Sequence, residues 1–276
     1  MPQIDTKTYL LGHTESELER LGTQAAVIDP MFRNTLLEAG ISQGMRVLDV
    51  ASGPGYVATM LAEMVGPDGE VVGTDISEDA LATARLRTEQ LGLKNLSFMS
   101  GDPSKMDFDQ PFDAVVGRYI LMFLPDPTAM VRGVARHLRP GGVIAFHEVS
   151  WDGVRAVPPA PIYATCSNWL TETAKKMNVD PEMAMKFGDC FRAAGLPAPN
   201  LRIEALIGTS ETSWKAVKLL CDLTRTMMPS VIETGTASAE EIDIDTLSDR
   251  MYTEIISNRS TVVMRSEIGA WAHLPG

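Results

Sequence analysis

The chain has 276 residues, of which 45% are hydrophobic and 22% are charged. This length and composition predict a folded protein with a sizeable core rather than a disordered chain. The formal net charge of -12 and the absence of a basic cluster argue against a nucleic-acid partner, because binding to phosphates requires a surface rich in Lys and Arg.

The three cysteines, Cys166, Cys190 and Cys221, are widely spaced and odd in number. This pattern fits neither a disulfide framework nor a metal knuckle, so we expect a reducing compartment and no metal site. The first residues lack the regions of a signal peptide, and no run of about 18 apolar residues could span a membrane. The sequence therefore predicts a cytoplasmic protein without a membrane partner.

The first 43 residues precede the first strong strand and are predicted to form a helical cap. A capping-box pattern begins at Thr14, and apolar residues follow at helical spacing as far as Ile28, which predicts an amphipathic helix. Pro30 is expected to end or kink this helix, and a second helix should close at Gly40.

This cap has two interpretations. It can be a helical layer over one face of a sheet. Alternatively, it can be a lid that closes over a bound ligand and supplies Tyr9 or Gln24 to the site, with Gly12 permitting a hinge.

From Met45 onward, predicted strands and helices alternate with short connections. This alternation is typical of a parallel sheet that is covered on both faces. The prolines at 158, 159 and 161 predict an irregular crossover after the fifth strand, followed by a helix-rich segment to about residue 194. The predicted strands are 46–50, 70–74, 95–99, 112–117, 142–148, 201–207 and 261–272, and the predicted helices are 56–65, 78–91, 127–138, 213–233 and 239–257.

The rest of the chain is organised around the stretch from Val47 to Ala58, which reads as strand, glycine-rich turn and helix. Gly53 and Gly55 lack a Cβ, so the chain can turn sharply and a ligand can approach the amides at the helix N-terminus. The turn also satisfies the G-x-G-x-x-G/A dinucleotide fingerprint. Asp75 ends the second strand, where a carboxylate can accept both hydrogen bonds of a ribose diol. At this point a nicotinamide and an adenosyl ligand both fit.

Downstream motifs favour the adenosyl ligand. Gly101-Asp102 closes the third strand, Phe112 to Val116 forms the fourth, and Leu138-Arg139-Pro140-Gly141-Gly142-Val143 leads into the fifth. Together with Val47-Leu48-Asp49, this order resembles the class I S-adenosylmethionine-dependent methyltransferases over about residues 40–150. Two alternatives stay open. An NAD(P)-dependent oxidoreductase is disfavoured by the helical prefix, by Gly101-Asp102 and by Pro140-Gly141-Gly142, whereas an S-adenosylmethionine-binding protein without methyl transfer would have the same fold.

The resemblance implies an α/β fold, with a doubly wound, mostly parallel seven-stranded Rossmann-like sheet. N-terminal helices are added before this sheet, and a helical insertion follows its fifth strand. The implied domains are a helical cap at 1–43, the S-adenosylmethionine-binding core at 44–150, a helical lid or insertion at 151–200, and strands and helices at 201–276 that complete the sheet and the substrate pocket.

The resemblance also assigns roles within the cofactor site. Gly53 and Gly55 wrap the methionine part of S-adenosylmethionine, and Asp49 braces their loop. Asp75 takes the ribose hydroxyls, with Ile76 beside the adenine. The structural alternative for Asp75 is a cap on the helix that follows.

Further along the chain, Asp102 takes the adenine amino group, and Pro103 or Met106 lines the other side of the ring. The backbone at Arg118 meets the amino-acid end of the cofactor, although its side chain could instead form an ion pair at the edge of the core. Ala51 replaces the usual glycine and suits the loop if its φ is negative. The predicted cofactor-binding residues are thus Tyr9, Gln24, Asp49, Ala51, Gly53, Gly55, Asp75, Ile76, Gly101, Asp102, Pro103 and Arg118.

The stretch Gly117-Arg118-Tyr119-Ile120 stands where DNA and glutamine methyltransferases carry an Asn/Asp-Pro-Pro-aromatic tetrad. We therefore expect a small, apolar and aromatic substrate that is methylated on O, N or an aromatic C. The first 25 residues resemble those of bacterial natural-product methyltransferases, some of which act on indoles. A homo-oligomer is left open.

Proton removal is optional in this chemistry, because the sulfonium already activates the methyl group. The candidate catalytic residues are Tyr9, His147 at the carboxyl end of the fifth strand, and His273 near the end of the chain. His137 lies at the end of a predicted helix and is expected to be a surface or dipole-capping residue.

Overall fold

The computed structural model describes the backbone of residues 15–276 and the side chains of residues 24–276. The predictions for Tyr9, Gly12 and the capping box at Thr14 lie outside the described residues.

The helices and strands follow the alternation that the sequence predicts. The strands are β1 (Arg46–Val50), β2 (Glu70–Asp75), β3 (Leu96–Ser100), β4 (Phe112–Arg118), β5 (Leu138–Ser150), β6 (Arg155–Val157), β7 (Asn200–Gly208) and β8 (Thr261–His273). The α-helices are α1 (Glu15–Glu38), α2 (Tyr56–Val65), α3 (Glu78–Leu91), α4 (Pro127–Ala135), α5 (Pro161–Lys176), α6 (Phe187–Ala193), α7 (Trp214–Glu233), α8 (Ala239–Ile242) and α9 (Ile244–Ser257), and short 3-10 helices occupy Leu121–Phe123 and Met183–Lys186.

The described strands form one sheet in the order β3-β2-β1-β4-β5-β8-β6, with β7 also paired to β8. The pairs β2–β3, β1–β2, β1–β4 and β4–β5 are parallel, whereas β6 is antiparallel to β8. The fold class is confirmed, and all seven predicted strands are present. One further strand, β6, was not predicted. It is only three residues long and lies directly before the prolines, where we expected an irregular crossover.

The chain divides into two compact units. The larger unit contains residues 25–148, 183–202 and 268–276, and it includes the five parallel strands. The smaller unit contains residues 149–182 and 203–267 together with the described start of α1. In the smaller unit α5, α7 and α9 pack against one another.

Strand β1 shows why the parallel strands form where they do. Its residues Val47, Leu48 and Val50 are fully buried, as expected for a strand covered on both faces. Arg46 at its start is partly exposed, and its side chain bonds Glu70 at the start of β2 at 2.6 Å. The apolar run thus determines where the strand forms, and the bond between Arg46 and Glu70 helps to fix its register with β2.

Helix α1 continues through Pro30, so the prediction of two helices divided there is wrong. A proline inside a helix loses one backbone hydrogen bond. The loss is offset by packing, because Ile28, Phe32 and Leu36 recur every four residues and are almost completely buried. The helix ends at Glu38, and Gly40 follows as the predicted left-handed residue, with φ 87° and its amide donating to the carbonyl of Leu37.

Thr35 of α1 and Gly269 of β8 approach each other very closely. A Cβ atom built on Gly269 would lie 2.2 Å from the Thr35 hydroxyl oxygen, so only glycine leaves room for this helix. Thr35 itself is 1% exposed. The glycine therefore fixes where α1 crosses the last strand.

Several boundaries differ from those predicted. Helix α4 ends at Ala135, three residues early, and β5 begins at Leu138, four residues early. The register between β4 and β5 shifts after the Phe112–Leu138 pair, which accommodates the Pro-Gly-Gly turn inside the strand. The predicted helix 239–257 is divided at Asp243, whose φ is 42°.

No helix among the described residues is long and apolar enough to cross a membrane.

The loop after β1 adopts a conformation that the sequence did not predict. Ala51 has φ 55°, in the left-handed region, so the condition of a negative φ, under which an alanine suits this loop, is not met. Gly53 and Gly55 also have positive φ values, of 53° and 83°. The turn thus needs three left-handed residues, and an alanine occupies one of them at a cost in backbone strain.

The substitution Ala51→Gly should raise the free energy of unfolding by about 0.5 to 1 kcal/mol. Relief of left-handed strain contributes about 1–2 kcal/mol, and the greater flexibility of the unfolded glycine chain removes about 0.4–1 kcal/mol. Urea unfolding of both proteins measures the difference. The control Ala82→Gly, at an exposed position in α3, should instead lower stability by about 1 kcal/mol. Equal losses in both variants would contradict the assigned strain.

Candidate active site

The glycine-rich loop is tied to the end of the neighbouring strand by backbone hydrogen bonds. The amide of Ser52 donates to the carbonyl of Thr74 at 2.8 Å, and the amide of Gly53 donates to the carboxylate of Asp75 at 2.9 Å. At Gly53 no atom lies within 4 Å of the position that a Cβ would occupy. The tip of the loop is therefore held firmly and is open to a ligand.

Asp75 joins two segments of backbone. One carboxylate oxygen accepts the Gly53 amide, and the other accepts the Ser77 amide at the start of α3, also at 2.9 Å. A carboxylate has about four lone-pair sites, so acceptor capacity remains for a diol. The helix-capping role and the ribose role are therefore compatible. The neighbouring side chain of Ile76 is 45% exposed, which leaves an apolar surface beside this carboxylate.

Asp49 lies beneath the loop and is 1% exposed. Burial raises the pKa of its carboxyl group to about 8, and the nearby Asp75 carboxylate adds to this effect. The Arg118 cation and a hydrogen bond from the Ala58 amide act in the opposite direction but do not cancel it. Its Oδ2 atom has no hydrogen-bond partner among the described residues. Asp49 is thus largely protonated at neutral pH and can donate a hydrogen bond.

Asp102 follows β3 and is held within its own turn. Its Oδ1 accepts hydrogen bonds from the amide and hydroxyl of Ser104 at 3.0 and 2.6 Å, and its Oδ2 pairs with Lys105 at 2.5 Å. Burial alone would raise the pKa of Asp102, but these hydrogen bonds outweigh it and lower the pKa. The carboxylate is therefore an ionised acceptor in a fixed orientation.

The end of α4 holds the turn that carries Asp102. The ring Nε2 of His137 lies 2.8 Å from the carbonyl oxygen of Pro103, and the Arg136 guanidinium donates to the carbonyl of Met106 at 2.6 Å. His137 is 8% exposed, so the expectation of a surface histidine is wrong. Pro103 is also buried, which makes it part of the support for this turn.

Arg118, at the end of β4, forms an ion pair with Asp29 of α1 at 2.6 Å, and its side chain is only 8% exposed. Its guanidinium also lies 5.7 Å from the ring centroids of Phe32 and Tyr119. The ion-pair alternative is therefore the one that its side chain adopts. This pair links α1 to the carboxyl edge of the sheet.

His147 pairs with Arg118 in the β4–β5 register and is 1% exposed. Its ring stacks on Phe32 with centroids 4.8 Å apart, and the Tyr119 ring lies 6.0 Å away. Burial lowers the pKa of His147 well below 6.5, and the Arg118 cation lowers it further. The imidazole is thus neutral at physiological pH, and burial disfavours its protonated form.

Glu148 supports the segment after β4. It is completely buried, and its Oε1 accepts the amides of Ile120 and Leu121 at 2.9 and 2.7 Å. Tyr119, just before them, has φ 54° and donates its amide to the carbonyl of His147 at 2.9 Å. Sequence reasoning assigned no role to Tyr119, Glu148 or Asp29. The only available signal was the His147-Glu148 pair at the end of an apolar strand.

One predicted residue is not brought to this edge of the sheet. His273 is exposed at the end of β8, and the bond from the Leu274 amide to the carbonyl of Gly142 (2.8 Å) places it beside the beginning of β5. The glycine loop lies at the carboxyl ends of the strands, which is the opposite edge. Gln24 is buried in α1 and belongs to the smaller unit.

Comparison with known proteins defines the class of protein. Residues 41–206 match the family model described as a methyltransferase domain. The match covers more than half of the chain, so the chain belongs to this methyltransferase family. It is an S-adenosylmethionine-dependent enzyme, which removes the nicotinamide alternative.

The chain is similar in sequence to curated methyltransferases, three of which are described here. Demethylmenaquinone methyltransferases of Listeria monocytogenes and Lactococcus lactis are each 33% identical, over 181 and 130 residues. These matches cover 59% and 47% of this chain and 74% and 49% of the relatives. The ubiquinone/menaquinone biosynthesis C-methyltransferase UbiE of Pseudomonas putida is 36% identical over 120 residues, or 43% of this chain and 47% of the relative. The chain thus spans about half the length of two of the three.

The fold has solved counterparts. Phosphoethanolamine N-methyltransferase 2 of Haemonchus contortus, in complex with phosphomonomethylethanolamine and S-adenosylhomocysteine, superposes with a TM-score of 0.54 at 17% identity. The superposition covers 85% of this chain and 50% of that one. At this identity the similarity concerns the fold alone.

The substitution Asp75→Ala should weaken S-adenosylhomocysteine binding by about 2–4 kcal/mol, which is roughly 30- to 1000-fold, because charge-assisted bonds to the diol and to the loop are lost together. Calorimetry measures the affinity. The control Asp79→Ala removes an exposed carboxylate from the first turn of α3 and should bind normally. Equal affinities in the two variants would refute the assigned role of Asp75.

The substitution His147→Gln should change how stability depends on pH. The folded protein lowers the pKa of His147 below 6.5, so the folded state binds fewer protons than the unfolded state in acid. His147 therefore costs stability increasingly as the pH falls below about 6.5. The wild type should lose more stability than His147→Gln between pH 7.5 and pH 5.5, measured by urea unfolding. Exposed His273→Gln is the control and should follow the wild type.

Proposed function

We propose that this enzyme transfers the methyl group of S-adenosylmethionine to an electron-rich atom of a small, apolar, aromatic molecule. The observation that carries the proposal is the Asp75 carboxylate bound between the Gly53 amide and the start of α3. It combines a charged acceptor with an open glycine turn at the carboxyl ends of two adjacent parallel strands, where ligands bind in this class of sheet.

The described residues fit the cofactor. Asp75 retains acceptor capacity for the ribose hydroxyls, and the exposed side chain of Ile76 can cover one face of the adenine. The ionised Asp102 can accept from the adenine amino group, and the open tip at Gly53 leaves room for the methionine part. When bound, the cofactor supplies a methyl group that its sulfonium has already activated.

The chain must then orient the acceptor and, for oxygen or nitrogen acceptors, remove a proton. We propose that His147, whose ring lies at the carboxyl edge beside Tyr119, receives this proton. Because burial makes it a weak base, it suits acceptors with acidic protons, such as phenols. The Arg118–Asp29 pair and the stacked Phe32 hold this group in place. An electron-rich ring carbon needs less help from a base, since its proton leaves after methyl transfer.

Among the possible acceptor atoms, we favour a ring carbon. Support comes from the relatives, two of which are named for methylation of demethylmenaquinone and one as a C-methyltransferase. Indole and other natural-product rings offer the same kind of nucleophilic carbon, so the proposal extends to them. The helices of the segment 151–200 are proposed to contribute to the substrate pocket.

The test is mass spectrometry of single compounds after incubation with S-adenosylmethionine. The panel contains demethylated quinols, indoles, phenols and amines, and fragmentation locates the added methyl group. We expect ring-carbon products from quinols or indoles with the wild type and with Asp79→Ala, and none with Asp75→Ala. The substitution His147→Gln should slow phenol methylation more than ring-carbon methylation.

Two outcomes would contradict the proposal. Tight binding of S-adenosylhomocysteine without methylation of any compound would indicate a binding protein. Methylation of amines alone would overturn the preference for a ring carbon.

A further inference from the structure

The glycine-rich turn after β1 has one open side and one packed side. At Gly53 no atom lies within 4 Å of the position that a Cβ would occupy. At Gly55, by contrast, a Cβ atom would lie 3.0 Å from the Cβ of Ala84 in α3 and 3.3 Å from the ring of Phe98 in β3. Gly53 thus leaves the turn accessible, whereas Gly55 lets it pack closely against α3 and β3.

Arg87 in α3, three residues after Ala84, contacts the residues on either side of Gly55. Its Nε donates a hydrogen bond to the carbonyl of Pro54 at 3.3 Å. Its guanidinium carbon lies 3.8 Å from the centroid of the Tyr56 ring, within the range of a cation–π contact. A planar guanidinium can stack on a ring and donate hydrogen bonds from its edge at the same time, which the ammonium of a lysine cannot do.

These two contacts are all the polar and aromatic contacts that Arg87 makes with the described residues. No carboxylate among those residues pairs with it. Arg85, two residues earlier in the same helix, is exposed and pairs with Glu78 at 3.2 Å. The side chain of Arg85 thus interacts within its own helix, whereas that of Arg87 is directed to the turn.

The contact with Tyr56 also fixes the start of α2. Tyr56 is the first residue of this helix, and no side chain caps the helix N-terminus. The amide and the hydroxyl of Thr59 both donate to the carbonyl of Gly55, at 2.9 and 2.7 Å, so the glycine-rich turn and the beginning of α2 are joined. Arg87 is therefore a second attachment for both, in addition to the bond from the turn to Asp75.

We propose that Arg87 is a positioning residue for S-adenosylmethionine, acting through the turn that it holds. Its contacts keep the turn ordered, with Gly53 open, before the cofactor binds. Without them, binding would also have to order the turn, and this cost would lower the affinity. Because the cost is the same for the bound cofactor and for the transition state, loss of Arg87 should raise KM and leave kcat unchanged. The inference rests on the proposed function, in which this turn receives the methionine part of the cofactor.

The substitution Arg87→Met tests this role, because it keeps most of the side-chain length and removes the charge and the donor. The Kd for S-adenosylhomocysteine, measured by calorimetry on the full-length protein, should rise about tenfold, since a cation–π contact and a charged hydrogen bond are lost together. With an acceptor from the compound panel, the KM for S-adenosylmethionine should rise by a similar factor, and kcat should stay within about twofold of the wild type. The matched control Arg85→Met should bind S-adenosylhomocysteine like the wild type.

Substitutions of Tyr56 test whether the two side chains act together. Tyr56→Leu removes the ring and should also weaken S-adenosylhomocysteine binding, whereas Tyr56→Phe keeps the ring and should bind more tightly than Tyr56→Leu. Because Arg87 acts through this ring, the double variant Arg87→Met/Tyr56→Leu should bind less than about twofold more weakly than Arg87→Met alone. Losses that add in the double variant would show two independent roles and would overturn the proposal.

The kinetic and stability measurements can also contradict the proposal. Unchanged affinity of Arg87→Met for S-adenosylhomocysteine would overturn it, and so would a lower kcat with an unchanged KM. A lower urea midpoint with unchanged affinity would show that Arg87 contributes to stability alone.

The variant Asp75→Ala, measured in the same series, separates this failure from failure of the proposed function. If Asp75→Ala binds S-adenosylhomocysteine weakly and Arg87→Met binds it normally, the turn receives the cofactor and only the role of Arg87 is refuted. If both variants bind it normally, the turn does not receive the cofactor, and the proposed function fails as well.

Discussion

The hydrogen bonds of the Asp75 carboxylate are the constraint on which the cofactor edge depends. By accepting the Gly53 amide and the Ser77 amide, this side chain fixes the turn after β1 relative to the start of α3. Gly53, one of the left-handed residues of the turn, thereby gains a fixed partner. The position that its Cβ would occupy stays open.

Beneath this edge lies a group of buried ionisable residues whose pKa values are shifted in opposite directions. Asp49 keeps its proton to about pH 8, and His147 stays deprotonated well below 6.5. Burial favours the neutral form of each, and Arg118 is the permanent charge between them. Within this buried group the remaining charges are those of Arg118 and its partner Asp29, which pair with each other.

Most of the fold could be predicted from the sequence because the patterns that mark its strands and helices lie within short segments of the chain. Continuous apolar runs located the parallel strands, and Gly40 marked the end of α1 through a turn that only a left-handed residue can make. The same logic failed at Pro30, where tertiary packing of Phe32 and Leu36 outweighed the local preference to end the helix. The short strand β6 was missed because its pairing with β8 joins residues about a hundred positions apart.

The candidate site was predictable where motif spacing fixed it and unpredictable where it depends on contacts between distant segments. Asp75 and the glycine turn follow from the order strand, turn, helix. The ion pair from Arg118 to Asp29 joins residues 89 positions apart, and no local pattern marks it.

The close contact between Thr35 and Gly269 fixes the position of α1 against β8. Asp29, six residues before Thr35 and so about 9 Å along the helix, carries the bond to Arg118, and Phe32 between them carries the stacked His147 ring. Any side chain larger than hydrogen at position 269 would have to push Thr35 outward. Because a helix is stiff, this displacement would also move Asp29 and Phe32 and so disturb their contacts with Arg118 and His147. Gly269 on β8 therefore determines how accurately Asp29 and Phe32 are positioned beside Arg118 and His147.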